Sequence, residues 1–138
     1  MSVIVIDASV AASWCFEDEA SGPGDELLDQ VARLGAVVPS LWHLEIGNIL
    51  RQAERRKRIA EAVSQQKLLL LSGLPIETDT ETSARAWGAA LLLARRHTLT
   101  VYDAAYLELT LRRGLPLASK DHDLLAAAKS EGVVTTNC

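Results

Sequence analysis

Several things are scarce in this 138-residue chain, and each scarcity removes a class of function. Cysteine is the first. Cys15 sits inside an apolar segment and Cys138 at the last position, a pair with neither the spacing of metal ligands nor the density of a disulfide framework. Both read as free thiols. Long hydrophobic runs are the second: stretches such as 68–71 and 89–94 fall far short of the roughly 20 apolar residues that span a bilayer. A soluble protein with no membrane partner is expected. The third is a basic region ahead of the first apolar residues, since 1–6 runs directly into Asp7 without the charged start of a secretory leader. The chain is therefore read as cytoplasmic. The fourth is positive charge. With 14 basic against 18 acidic residues the formal charge is −4 and the pI is near 5.3, which excludes coating nucleic acid by bulk electrostatics. Any nucleic-acid contact is local. Internal repeats and low-complexity tracts are also missing.

What is present in quantity is apolar side chain. At 49% hydrophobic, one domain over 1–138 can bury its own core. Short apolar runs at 3–6, 36–38, 74–77, 115–118 and 133–135 read as strands. Between them lie helical patterns at 8–16, 25–34, 41–57, 59–72, 80–97, 101–113 and 121–131. Gly73, Gly114 and Gly132 each follow a helical run where a left-handed cap residue is wanted. The segment 17–24, with acids, two glycines and Pro23, reads as the flexible link. Strands alternating with helices imply an α/β fold, a mainly parallel sheet covered by helices on both faces. One dense basic tract, Arg55-Arg56-Lys57-Arg58 preceded by Arg51, ends the third helical pattern. It reads as cations complementing a helix dipole, with phosphate gripping as the second reading.

In open α/β sheets ligands bind beyond the carboxyl ends of the strands, which directs attention to acids. Asp7 follows the first strand and is itself followed by Ser9; Asp121 repeats the arrangement after the fourth strand, with Ser119 just before it and Asp123 as a rival. Either is also a natural helix N-cap. Thr100 and Asp103 fit a capping box. Glu45, Asn48 and Gln52 form a polar stripe beside the apolar face Trp42, Ile46, Ile49, Leu50 and Ala53. Together, acids at two strand exits and on two helices are what an oxygen-ligand site for Mg2+ or Mn2+ uses, and such crowding makes physical sense only with a cation or shared protons.

Four segments in order, Val5-Ile6-Asp7-Ala8-Ser9, Leu44-Glu45-Ile46-Gly47-Asn48, Val101-Tyr102-Asp103-Ala104-Ala105-Tyr106-Leu107 and Pro116-Leu117-Ala118-Ser119-Lys120-Asp121, give the chain a pattern that resembles the PIN-domain ribonucleases. It is most similar to the VapC-type toxins of toxin–antitoxin pairs. The resemblance implies a three-layer α/β/α PIN-like domain around a five-stranded sheet. It implies that Asp7, Glu45, Asp103 and Asp121 surround one or two Mg2+ or Mn2+ ions for hydrolysis of RNA, with Ser9, Asn48 and Ser119 holding those carboxylates. Ser119 stands where the family often has threonine, which keeps the hydroxyl. His43, His97 and His122 do not match ligand positions. The resemblance further implies a homodimer and a VapB-like antitoxin, in a hetero-oligomer with the toxin, whose segment crosses the active-site groove. Trp14, Phe16 and Trp42 read either as core or as the wall of that groove.

Three alternatives stand beside this. A solitary RNA-processing PIN nuclease would share the site. A phosphoacceptor, receiver-like signalling module would need an acceptor acid after a middle strand; the third strand is followed by Thr78 and Asp79, and Thr78 with Glu81 reads as a capping box instead. A catalytically inactive binding module would have no need of four acids.

Overall fold

The computed structural model describes residues 3–138. Five short strands, β1 (Ile4–Ile6), β2 (Ala36–Val38), β3 (Ile76–Thr78), β4 (Leu117–Ser119) and β5 (Thr135–Asn137), form one all-parallel sheet in the order β3-β2-β1-β4-β5. The expected three-layer α/β/α architecture is the one found. β1 lies at the centre, with Val5 opposite Val37 on one side and opposite Leu117 on the other. Every residue of β1, β2 and β4 is buried, as parallel strands covered on both faces must be, whereas β3 and β5 form the half-exposed edges.

Among the described residues eight helices flank the sheet: α1 (Ala8–Ser13), α2 (Gly22–Leu34), α3 (Trp42–Arg55), α4 (Glu61–Ser72), α5 (Thr82–Arg85), α6 (Leu91–His97), α7 (Val101–Arg113) and α8 (His122–Ser130). α7 is the central one, with Ala104 through Thr110 all buried. Its start is fixed by Thr100, whose hydroxyl accepts the Asp103 N–H, and its end by Gly114 in the left-handed region at φ 65°. The core joins this helix to Ile4, Val5, Ile6, Val37, Val38, Leu117 and Leu124. Phe16 and Trp42 belong to that core, while Trp14 is half-buried and donates its indole N–H to the Gly24 carbonyl at 3.1 Å.

Several sequence expectations are corrected. Strands β3, β4 and β5 begin two residues later than the apolar runs. Pro75 and Pro116 serve instead as lead-ins: their carbonyls accept the Ala36 and Val5 N–H at 3.1 and 2.9 Å, but proline has no N–H to return. The segment 17–24 is structured rather than a loose link. Glu17–Glu19 form a 3-10 turn, Ser21 caps α2 by accepting the Gly24 N–H, and Arg58 clamps Asp18 and Glu19 at 2.9 and 2.8 Å. Gly73 closes α4 in a right-handed conformation, not a left-handed one. The single helix expected over 80–97 is interrupted by a wider π turn at Ala86–Ala90, and α6 ends on left-handed Thr98. Thr78 caps nothing. The Glu81 N–H that opens α5 is taken by Asp79, a residue whose larger role lies elsewhere.

Candidate active site

Asp7 leaves the carboxyl end of the central strand and is 5% exposed. Both of its oxygens are engaged. Oδ1 accepts the Ser9 hydroxyl at 2.6 Å and the Val10 N–H at 3.1 Å, so Asp7 does cap α1; Oδ2 accepts the Ser119 hydroxyl at 2.5 Å from the neighbouring strand exit. Each of those hydroxyls in turn accepts a backbone N–H: Ser9 from Lys120 at 3.2 Å and Ser119 from Asp121 at 2.9 Å. Two serines thus fix one carboxylate and tie the β1 exit to the β4 exit. Burial pushes the Asp7 carboxyl above its ordinary value, the hydrogen bonds of Ser119, Ser9 and Val10 pull it back, and the charge of Asp121 pushes it further up.

Glu45 projects from the first turn of α3 and accepts the Tyr106 hydroxyl at 2.5 Å. Tyr106 is 1% exposed, so a buried phenol on α7 aims this carboxylate. No role for it was drawn from the sequence. The available signal was its place one turn after Asp103 on the same helix face. Burial also raises the Glu45 carboxyl, against the hydrogen bond from Tyr106 and with the help of charges on Asp103 and Asp7. Asp103 lies in the first turn of α7, half-buried; burial raises it as well, followed by the charges of Asp121 and Asp7. Asp121 thus acts on Asp7 and Asp103, Asp7 on Asp103, and Asp103 and Asp7 on Glu45.

Asp121 is the N-cap of α8, its Oδ1 accepting the N–H groups of Asp123 and Leu124 at 2.9 and 3.1 Å. Its second oxygen makes no hydrogen bond among the described residues. Asp123 is exposed and is the smallest of the influences on Asp103. The geometry favours Asp121. Asn48 stands apart: it is exposed, and among the described residues no hydrogen bond joins it to an acid. His43 and His122 are exposed, and His97 pairs with Glu131 at 2.6 Å.

Among the described residues no arginine or lysine forms an ion pair with any of the four acids, nor do three of them converge into a finished metal cage. Asp7, Glu45 and Asp121 each accept hydrogen bonds from donors of their own. The donor set, carboxylate oxygens with hydroxyls behind them, fits a hard divalent cation such as Mg2+ or Mn2+.

Comparison with known proteins gives the same picture. Residues 4–130 match the PIN domain family. Ribonuclease VapC3 of Pyrobaculum aerophilum is 30% identical over 132 residues, covering 96% of this chain and 98% of that protein. The crystal structure of PAE2754, also from Pyrobaculum aerophilum, superposes with a TM-score of 0.70 at 26% identity, covering 98% of this chain and 92% of the other. VapBC2 of Rickettsia felis, solved bound to a DNA fragment from its promoter, shares the fold at a TM-score of 0.68 and 11% identity, covering 99% and 98%. A PIN match over most of the chain, a VapC ribonuclease at full length and the acid-lined exit of the central strands agree: the chain belongs to the PIN-domain family, on its VapC-like ribonuclease side.

Proposed function

We propose that this protein is a divalent-metal-dependent endoribonuclease and the toxin of a VapBC-type pair. The observation that carries the reading is the set of mutually repelling acids Asp7, buried, and Glu45 and Asp103, half-buried, all raised, with no ion-pair partner among the described residues. Asp7, Asp103, Glu45 and Asp121 would hold the Mg2+ or Mn2+. Such an ion, when bound, sets positive charge against the scissile phosphate and makes a water acidic enough to supply hydroxide near neutral pH.

The chain's own residues do the positioning. Ser9 and Ser119 lock Asp7 in one orientation, and Tyr106 does the same for Glu45. Asp121, through the oxygen not used for capping, or Asp103 orients the attacking water and takes its proton. Ser119 joins the two strand exits, so it keeps Asp7 and Asp121 in register. Partner binding is supported by the kinship with VapC3 and by the VapBC2 and FitAB assemblies that share the fold. On this chain an apolar groove of about 460 Å³, lined by Trp14, Leu28, Leu70, Leu71 and Leu74, offers an antitoxin segment a place to bury its own apolar side chains. A homodimer is proposed on the same kinship.

The test is cleavage of total RNA by the purified chain with Mg2+ or Mn2+, with chelator, and by Asp7→Asn. Cleavage that needs the ion and disappears in the variant is expected, with the circular dichroism of the variant unchanged. Equal cleavage in excess chelator, or by Asp7→Asn, overturns the assignment.

A further inference from the structure

An acidic active site on a chain of net charge −4 repels RNA. Some other surface must attract the polyanion, and α3 carries it. Leu44, Asn48, Arg51 and Arg55 follow one another at helical spacing along the solvent face of α3, and all four are exposed. The row starts beside Glu45 and ends at Arg55, Arg56 and Lys57, about 15 Å further along the helix axis.

The basic residues at that end differ sharply in what they touch. Arg58 is committed to the fold: it clamps Asp18 and Glu19 and lies over the Phe16 ring at 3.9 Å. Arg51 has only a loose contact to Glu54, at 3.7 Å and exposed. Arg55, Arg56 and Lys57 are exposed and have no ion-pair partner among the described residues. A helix C-terminus is equivalent to about half a negative charge, so three free cations exceed what the dipole asks for. Lys57, moreover, occupies the left-handed region at φ 59°, with the Arg58 N–H returning to the Ala53 carbonyl at 2.8 Å to close the helix. Glycine is the residue that this closure favours. A lysine there keeps a charge at the expense of backbone strain.

We propose that the α3 ridge, ending in Arg55, Arg56 and Lys57, grips the sugar–phosphate backbone of the RNA substrate at a point remote from the cleaved bond. This rests on the ribonuclease reading above. The contacts are sequence-independent: they supply affinity and orientation, while the chemistry stays with the acids.

The test uses a labelled, mixed-sequence single-stranded RNA as probe and the Asp7→Asn chain, which binds without cleaving. Against that background, Arg55→Gln/Arg56→Gln/Lys57→Gln is expected to weaken binding about tenfold or more at ~0.1 M salt, and to flatten the slope of log K on log salt by about 2, for three phosphate contacts on a single strand. With Asp7 restored, the triple variant raises KM on long RNA and leaves kcat unchanged. Lys57→Gly alone separates charge from folding, since it is expected to raise the melting temperature while lowering the slope by about 0.7. Unchanged affinity and slope in the triple variant overturn the proposal. So does intact RNA binding combined with failure to bind an acidic partner protein, which would assign the ridge to that partner. Failure of the unmodified chain to cleave any RNA with Mg2+ or Mn2+ strikes the ribonuclease reading instead, and is a separate result.

Discussion

Two groups of acids withdrawn from solvent lie in this molecule and behave in opposite ways. Asp79 and Glu108 are as buried as Asp7, at 4% and 5% exposure against 5%. Arg112 answers both: it forks onto Asp79 at 2.7 and 3.0 Å and reaches Glu108 through Nε at 2.8 Å. Arg112 therefore holds the Asp79 carboxyl below its ordinary value, whereas burial holds Asp7, Glu45 and Asp103 above theirs. Burial alone does not mark a functional acid. The mark is burial that the protein leaves unneutralised, because only there does an external cation or a polar substrate gain free energy by arriving.

The largest expected effect breaks the neutralised group. Arg112→Met strands two buried carboxylates and should cost about 3–5 kcal/mol, measured by urea denaturation followed by circular dichroism. A loss within experimental error would mean that Asp79 and Glu108 are solvated and that the contrast is false. Next comes the site. Mg2+ should raise the melting temperature by several degrees at neutral pH through binding to the folded state alone, and Asp7→Asn should remove that rise. In chelator the same variant should melt no lower than the unmodified chain, since it discards a repelled charge but keeps the caps to Ser9 and Val10.

The pH dependence gives the smallest signal and sharpens the contrast most. A raised carboxyl destabilises the folded state when ionised, so Asp7, Glu45 and Asp103 oppose folding at neutral pH, and the penalty fades as pH falls through their raised values toward the ordinary carboxylate range. The stabilising effect of Mg2+ should fade over the same interval. Asp79 works the other way. Its contribution is complete above an ordinary value of 3.8 and is lost only as pH drops below that through its depressed folded value. Melting temperatures in chelator should therefore hold or rise slightly as pH falls from neutral toward the ordinary carboxylate range, then fall steeply below it.

Much of this was legible in the sequence, and the failures share a cause. The alternation of strands with helices, the parallel sheet and the caps of α7 follow from local patterns: apolar runs, Thr100 before Asp103, Gly114 after Arg113. Asp7, Glu45, Asp103 and Asp121 were singled out because strand exits and helix stripes can be seen along a chain. Asp79 drew no structural role because its partner, Arg112, is 33 positions away on α7, and no periodicity reports such a pairing. Tyr106 escaped for the same reason. Its hydroxyl meets Glu45 across 61 residues, and read locally it is simply one more apolar residue of α7. The delayed starts of β3 and β4 are a subtler case, in which the apolar pattern includes prolines that pack like strand residues but donate nothing to the ladder.

The double relay onto Asp7 has a consequence for exchange with solvent. The amides of Lys120 and Asp121 sit in the turn between β4 and α8, where loop amides ordinarily exchange quickly. Here each is bound to a serine hydroxyl that is itself held by Asp7. Their protons should exchange slowly, together, and only when the exits of β1 and β4 separate. Two loop amides thus become reporters of whether the Asp7 carboxylate is seated, readable in the free protein with no substrate, no metal and no turnover.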